Sequence, residues 1–537
     1  MLFRSAIVTC LIATRRIFPS LAVAASLGCT ILIVPFLYQI GFGFDGFLHR
    51  AAERAIVATG TITPKPLAYI GQYFPLTAAS KLFHLPVDSL DRWFVPLLFL
   101  CIIFLLVAMA EIRASAMLAL LLLPLSPFIA TTPQAAAFLL GFFGLAIAAF
   151  SSVYELIPLS ILSWACLTHP LAGAPFLLAT LAILSMKRRW TLASIGFACC
   201  SILAVPFLFL LISHGPETMI AWNTDALTER TTWSAVIHTF LPWMENRFVL
   251  FPAWSSLIEL ATPTILILFT ILGLPKNEKR SRSIILLATG VGLHVMSVLL
   301  NAIGNFSFLI RYEQSNYADR LHVIGTLILI LASLSGWERV FERTRKAPGA
   351  LTAGCVVLLL LLAAAQSYNA LPRNDAIVTG HGWSVGAADR LAAQFIENDS
   401  RGEAYTVLAN QSVSAAAVDS YGFKRYTSTN VFYYPIPTGG PLYAIFERLV
   451  YGTPSRDLLE EAGTLGQSSR VYVALDDYWW MSEKLRESLK HIADANWTIG
   501  SRADQEPTED DPDGTRVFVY RFDLTSASSS RATFSGR

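Results

Sequence analysis

Apolar residues follow two different patterns along this chain. Up to about residue 366 they form long, nearly unbroken runs. Eleven can be separated, at 17–40, 93–110, 115–131, 133–150, 154–168, 170–186, 191–213, 249–274, 283–303, 320–337 and 348–366. A helix needs roughly 20 such residues to cross the hydrocarbon core of a bilayer. From about residue 367 the runs give way to short alternating segments. EAYTVLAN, RVYVALDD and TRVFVYRFDL read as strands, and DYWWMSEKLRESLKHIADA reads as an amphipathic helix. The pattern predicts a polytopic α-helical membrane domain over 1–366, with about 11 transmembrane helices. A C-terminal extracytoplasmic α/β domain over 367–524 and a disordered Ser-rich tail over 525–537 follow.

Composition agrees with this division. Hydrophobic residues make up 54% of the 537 positions and charged residues only 15%, against about 25% charged in an ordinary soluble domain. The net charge of +2 is uninformative, but its distribution is not. With the N-terminus inside and the helices alternating, every strongly basic short segment falls on one side. These segments are Arg4, Arg15 and Arg16; Arg113; Lys187, Arg188 and Arg189; Lys276 to Arg282; and Arg339 to Lys346. The longer loops 41–92, 214–248 and 304–320 then face outward with the C-terminal domain. Seven cysteines all lie at or before Cys355, within apolar segments and without a CxxC pair. That pattern excludes a disulfide framework in the C-terminal domain and suits a bacterial inner (plasma) membrane. No Walker loop, GxSxG or HExxH is present, and no outward basic aromatic patch suggests nucleic acid.

The first outer loop carries the most chemistry. DGFLHRAAERAIVA has helical periodicity, and Asp45, His49 and Glu53 recur every fourth residue on one face. Such a face can bind a divalent cation or take a proton from a hydroxyl; it also reads as an N-cap followed by a solvated stripe. After Thr-Pro-Lys-Pro, YIGQYFPLTAASKLFHL is a second short helix, too aromatic and too short to span. Both helices are expected to lie on the membrane, with Tyr69, Tyr73 and Phe74 at headgroup level. In the last outer loop Arg311 and Arg320, with His322, break the positive-inside trend; each suits a phosphate or a snorkelling cation. His169 falls between two runs and His294 within one, where an ionisable residue is a functional candidate by default. NVFYYPIPTGGPLYAIF and DDYWW suit either sugar stacking or a packed core.

The first membrane helix, the acidic start of the large outer loop at Asp45, the two interfacial helices and the Gly71, Tyr73, Pro75 stretch together resemble the GT-C superfamily of integral membrane glycosyltransferases. The resemblance covers the whole architecture. It implies transfer of a sugar from a polyprenyl-phosphate-linked donor to a glycan, lipid or protein acceptor on the outer face. Asp45 would be the general base, His49 and Glu53 supporting residues for acceptor or metal, and Arg311 and Arg320 the donor-phosphate ligands. A divalent cation (Mg or Mn) is the expected cofactor. Members often carry Asp-x-Asp here, whereas this chain has one Asp followed by GFLH. Alternatives from other classes are a transporter or flippase, an envelope polysaccharide polymerase or ligase, and a non-catalytic scaffold.

Overall fold

The computed structural model describes residues 17–61, 69–109, 116–212, 221–223, 225, 250–275, 279–306, 315–344, 349–372, 384–423, 431–436, 438–477, 479, 481–500 and 516–524. The chain divides into two compact units: Met1–Gln39 with Leu67–Gly382, and Ile40–Pro66 with Trp383–Arg537. The boundary cuts the first outer loop, because its first half is held by residues more than 300 positions away.

The first unit opens with α1 (Ile17–Leu37). The next helix, α2 (Asp45–Thr59), belongs to the second unit. Then follow α3 (Ile70–Phe83), α4 (Val87–Ala108), α5 (Pro133–Phe150), α6 (Leu156–Thr168), α7 (Pro170–Lys187) and α8 (Thr191–Ile212). The two-residue strand β1 (Ala221–Trp222) precedes α9 (Leu250–Leu272) and α10 (Lys279–Ile303). The equally short β2 (Gly304–Asn305), α11 (Asn316–Thr344) and α12 (Gly349–Ala370) complete the unit. Among the described residues seven helices are long and apolar enough to cross a membrane: α4, α5, α7, α8, α9, α10 and α11. Shorter apolar helices lie in α1, α6 and α12. Their outer faces leave Phe104, Leu105, Leu203, Phe207, Leu268 and Ile271 exposed, which water would penalise and lipid does not. Sparse polar links cross the interior. Thr30 and Ser367 share a hydrogen bond of 3.2 Å, and Asn369 Nδ2 donates to Ser255 O at 3.0 Å.

One apolar run departs from expectation. Residues 115–131 are not a spanning α-helix. They form a 3-10 stretch over Ala116–Leu122 and a single 3-10 turn over Ser126–Phe128. Pro124 and Pro127 remove the backbone donors that an α-helix needs there. Residues 116–123 are all buried, packed against α1, α11 and α12. Thr131 then returns to the start of α4, its hydroxyl donating to Asp91 O and accepting from Val95 N.

The second unit is built on a four-stranded sheet. After α2 it contains α13 (Ala387–Asp399), β3 (Tyr405–Ala409), α14 (Gln411–Tyr421), α15 (Pro441–Tyr451) and α16 (Arg456–Leu465). It ends with β4 (Arg470–Asp476), α17 (Ser482–Lys490), β5 (Ala495–Gly500) and β6 (Arg516–Asp523). The strand order is β3-β4-β6-β5. β3 and β4 are parallel, in register from Tyr405↔Arg470 to Ala409↔Ala474; β6 runs antiparallel to both β4 and β5. β3 is buried throughout, and the edge strand β5 alternates between half-buried and exposed.

The first of the two loop helices expected to lie on the membrane, α2, belongs to this unit and buries one face within it. Phe47, Arg50 and Ala51 sit at i, i+3 and i+4 and face inward. Phe47 packs with Val385, Ala415 and Ala416, and Ala51 joins the core of α13, β3 and β6. Burying Phe47 alone stabilises by about 1.5–3 kcal/mol. The aromatic segment Phe432–Tyr434 is likewise core, so it is packing and not a sugar-stacking face. Trp479 stacks on Phe446 with ring centroids 5.7 Å apart.

Candidate functional site

Basic side chains of the described residues gather at one end of the helical unit. There they cap helix termini: Arg282 Nη1 donates to Ala149 O (2.6 Å), Lys187 Nζ to Ser151 O (3.2 Å) and Arg339 Nη1 to Leu272 O (3.2 Å). Arg188 pairs there with Glu155. Cations at the carboxyl ends of helices complement the exposed carbonyls. At the opposite helix ends, β1 and β2 pair Ala221 with Asn305 and Trp222 with Gly304. Among the described residues, the segments at 221–222 and 304–305 are therefore tied together.

At those helix ends several of the expected residues converge. α3 is seated on the end of α6: Trp164 Nε1 donates to Gly71 O at 2.9 Å, and a Cβ at Gly71 would collide with Thr168. Glycine is required there by close approach. The seat directs Tyr73, which is fully buried, and Tyr69, whose ring lies 6.2 Å from Tyr73 and stacks on His169 at 5.7 Å. His169 caps α7. Its Nδ1 accepts from Ala172 N at 3.3 Å, which leaves the ring proton on Nε2. Pro170 follows at the first helical position, where its missing N–H has no consequence.

Arg320, on the first turns of α11, lies close enough for its charge to act on His169, and its guanidinium sits 4.7 Å from the Tyr317 ring. Two residues on, His322 meets His294 of α10 edge to face at 4.7 Å. His294 is fixed on both sides. Nδ1 donates to Gly290 O at 2.8 Å, and Nε2 accepts from Thr326 Oγ1 at 3.2 Å. The close approach of α10 and α11 depends on Gly325, which packs directly on the His294 ring. Tyr73, His169, Arg320 and His322 thus share one polar patch, and Tyr69 and His294 join it. Arg311 and most of the 214–248 loop lie outside the described residues.

Asp45, His49 and Glu53 belong to the other unit and do not form one open face. Asp45 is exposed at the first position of α2, His49 is half-buried, and Glu53 is fully buried. Among the described residues no group of three or more His, Cys, Asp or Glu is arranged to hold a metal ion. The expected Asp45, His49, Glu53 ligand set is therefore not assembled in α2.

Two polar clusters of the second unit were not visible in the sequence. Arg50 Nε (2.8 Å) and Arg54 Nη1 (3.0 Å) both donate to Asp419 Oδ1, and Arg390 Nη2 donates to Asp419 Oδ2 (2.7 Å). At the carboxyl ends of the parallel strands, buried Asp476 accepts from Asn410 Nδ2 and Ser412 Oγ. Asp389 hydrogen-bonds to the same carboxylate, and its Oδ2 accepts from Gly386 N at 2.7 Å. Burial pushes Asp389 well above the ordinary carboxyl value, and the neighbouring charge and hydrogen bond of Asp476 push it further. The helical periodicity of α2 was the only sequence signal for either cluster. The long-range partners lie from 29 residues apart (Arg390 and Asp419) to 369 apart (Arg50 and Asp419), beyond the reach of a local pattern.

Comparison of the chain with family models, with curated proteins and with solved structures finds no match.

Proposed function

We propose that this chain is an integral membrane glycosyltransferase of the GT-C type, transferring a sugar from a polyprenyl-phosphate-linked donor to a glycan, lipid or protein acceptor. In this reading the membrane is the bacterial inner membrane. About 11 segments cross it, and the second unit and the outer loops face outward. The observation that carries the reading is the patch of Tyr69, Tyr73, His169, Arg320, His294 and His322, at the end of the helical unit opposite its basic caps.

The acceptor hydroxyl attacks the anomeric carbon. The bond from that carbon to the phosphate oxygen breaks, and its electron pair stays on the polyprenyl phosphate, where negative charge grows. Arg320 supplies the cation for that charge, and low-dielectric surroundings strengthen the interaction. The half-buried ring of Tyr69, backed by His169, offers a face for a sugar. Asp45 is the proposed general base on its chemistry, an exposed carboxylate free to take the hydroxyl proton. It is also the one of the three α2 candidates exposed enough to offer an oxygen to Mg or Mn.

The test uses membranes containing wild type, Arg320→Gln or Asp45→Asn at equal abundance, supplied with lipid extract carrying labelled polyprenyl-phosphate sugars. Label transfer and release of free polyprenyl phosphate are measured. Loss of one charged hydrogen bond to the leaving group, about 1.5–3 kcal/mol, predicts roughly a 10- to 150-fold slower reaction for Arg320→Gln. Undiminished transfer by both variants refutes the assigned site. A transporter is the second reading, favoured by the His294–His322 contact between two apolar helices. It moves the donor intact and releases no polyprenyl phosphate.

A further inference from the structure

At one corner of the basic end of the helical unit, cations, exposed aromatic rings and an apolar stripe coincide. The turn between α5 and α6 is tied there to the carboxyl end of α7, by Lys187 Nζ on Ser151 O (3.2 Å) and by the Arg188–Glu155 pair. Arg188 meets Glu155 through Nη2 alone, and the two side chains stay 54% and 38% exposed. An exposed pair of this kind contributes little, and it leaves the rest of the guanidinium fork able to hold a phosphate oxygen. The Arg188 guanidinium lies 5.6 Å from the Trp190 ring. Trp190 and Tyr154, the neighbour of Glu155, are 59% and 80% exposed. Bare rings with a polar handle suit the level of lipid headgroups.

An apolar stripe starts at the same corner. Leu192, Ile195, Cys199, Leu203 and Phe207 are all exposed on α8, and steps of three and four residues keep them on one face. At 1.5 Å per residue the stripe runs about 22 Å, enough for the ~15 Å hydrocarbon depth of one leaflet. The cap at Arg339 lacks the rings, because Trp337 there is buried in its stack on Phe269.

We propose that this corner binds an anionic phospholipid, with the phosphate on Arg188, the headgroup beside Trp190 and Tyr154, and an acyl chain along the α8 stripe. Charge complementarity selects the occupant. A phosphodiester with no cation of its own leaves both oxygens for the fork, whereas a choline headgroup brings a positive charge to an already basic corner. The inference rests on the helical unit lying in a bilayer. It goes beyond the transferase reading and does not depend on it.

The probe is phosphatidylglycerol, titrated into phosphatidylcholine nanodiscs that hold the full-length protein, and the readout is amide hydrogen exchange over 186–196. Exchange in the wild type should slow saturably as phosphatidylglycerol rises. Arg188→Gln/Trp190→Ala should need about tenfold more of the lipid for the same effect. Glu155→Gln breaks the same ion pair but keeps the cation, so it should retain the response; this separates lost lipid from lost local structure. Soluble glycerol phosphate, a headgroup without an acyl chain, should give no protection. Arg343→Gln, at a basic helix end without exposed rings, should behave as wild type. No response in the wild type, an undiminished response in the double variant or a lost response in Glu155→Gln overturns the proposal. So does equal protection by glycerol phosphate, or an Arg343→Gln protein as impaired as the double variant, which is the mark of diffuse attraction.

Discussion

Replacing Asp389 with Asn tests the buried carboxyl pair most directly. Asp389 receives the Gly386 N–H on one oxygen and faces the Asp476 carboxylate, which already accepts from Asn410 and Ser412. Two negative charges cannot share that space, so Asp389 keeps its proton and donates it to Asp476. Its folded-state value is raised, so the folded state holds a proton that the unfolded chain releases above about pH 3.8. Stability is therefore fully present below that value. It falls as pH rises, until the folded-state value is passed. At about 1.4 kcal/mol per pH unit, the interval from 3.8 to neutral pH sets a ceiling of about 4 kcal/mol on the loss. Asn offers the same shape, with an N–H for Asp476 and a carbonyl for Gly386, and has no proton to lose. Asp389→Asn should stabilise the second unit at pH 7 by up to that amount and remove its dependence on pH. Amide hydrogen exchange in β3 and β4 of the full-length protein, followed from pH 5.5 to 8.5 and corrected for intrinsic rates, reads this locally. Faster exchange in the variant at pH 7, or an unchanged pH slope, refutes the shared-proton arrangement. Asp389→Ala serves as the contrast, because it also loses the Gly386 contact.

Other outcomes follow from the same geometry. Asp419→Ala strands the buried Arg50 guanidinium and should cost the second unit about 3–5 kcal/mol, read as faster exchange in α2 and α14; unchanged exchange there refutes the anchoring role. Gly71→Ala forces α3 off Thr168 at a cost of about 1–3 kcal/mol, so the melting temperature of the detergent-purified protein should fall; an unaltered melting temperature removes the proposed seat. A fragment spanning 384–524 lacks Phe47, Arg50 and Ala51, and should show dispersed amide resonances only when 40–61 is joined to it by a linker. Asp45 is exposed, so Asp45→Asn should abolish transfer and leave the melting temperature where it was.

The local patterns were legible and the long-range ones were not. The long apolar helices, the strands β3, β4 and β6, and the two short helices of the first outer loop all follow from periodicity. β5 escaped because a short edge strand exposed on one face has no continuous apolar run to mark it. The run at 115–131 looked like a spanning helix because hydropathy does not distinguish residues that face lipid from residues enclosed by protein. The amphipathic face of α2 was visible, yet its partner lies 369 residues away at Asp419, so a membrane surface was the natural local reading. Single histidines and Arg320 stood out against apolar surroundings, and four of the candidates fall into one patch. Tyr69 could not be distinguished from an ordinary interfacial aromatic until the seat of Gly71 on Thr168 fixed where it points.

The 3-10 stretch at Ala116–Leu122 bears on the order of assembly. Its backbone follows a path of about 2.0 Å per residue with poorer hydrogen bonds than an α-helix makes, and such a path is tolerated at membrane depth only inside a protein shell. Part of that shell is α11 and α12, which begin about two hundred residues later in the chain. As the nascent chain emerges, this segment has no enclosure and cannot be left in lipid in its final form. It must wait in another conformation, or at the translocon, until the last helices arrive. Completion of the helical unit is then a closing step made from its C-terminal end. A chain truncated before residue 316 would strand this apolar stretch, a signal that membrane quality control is built to detect.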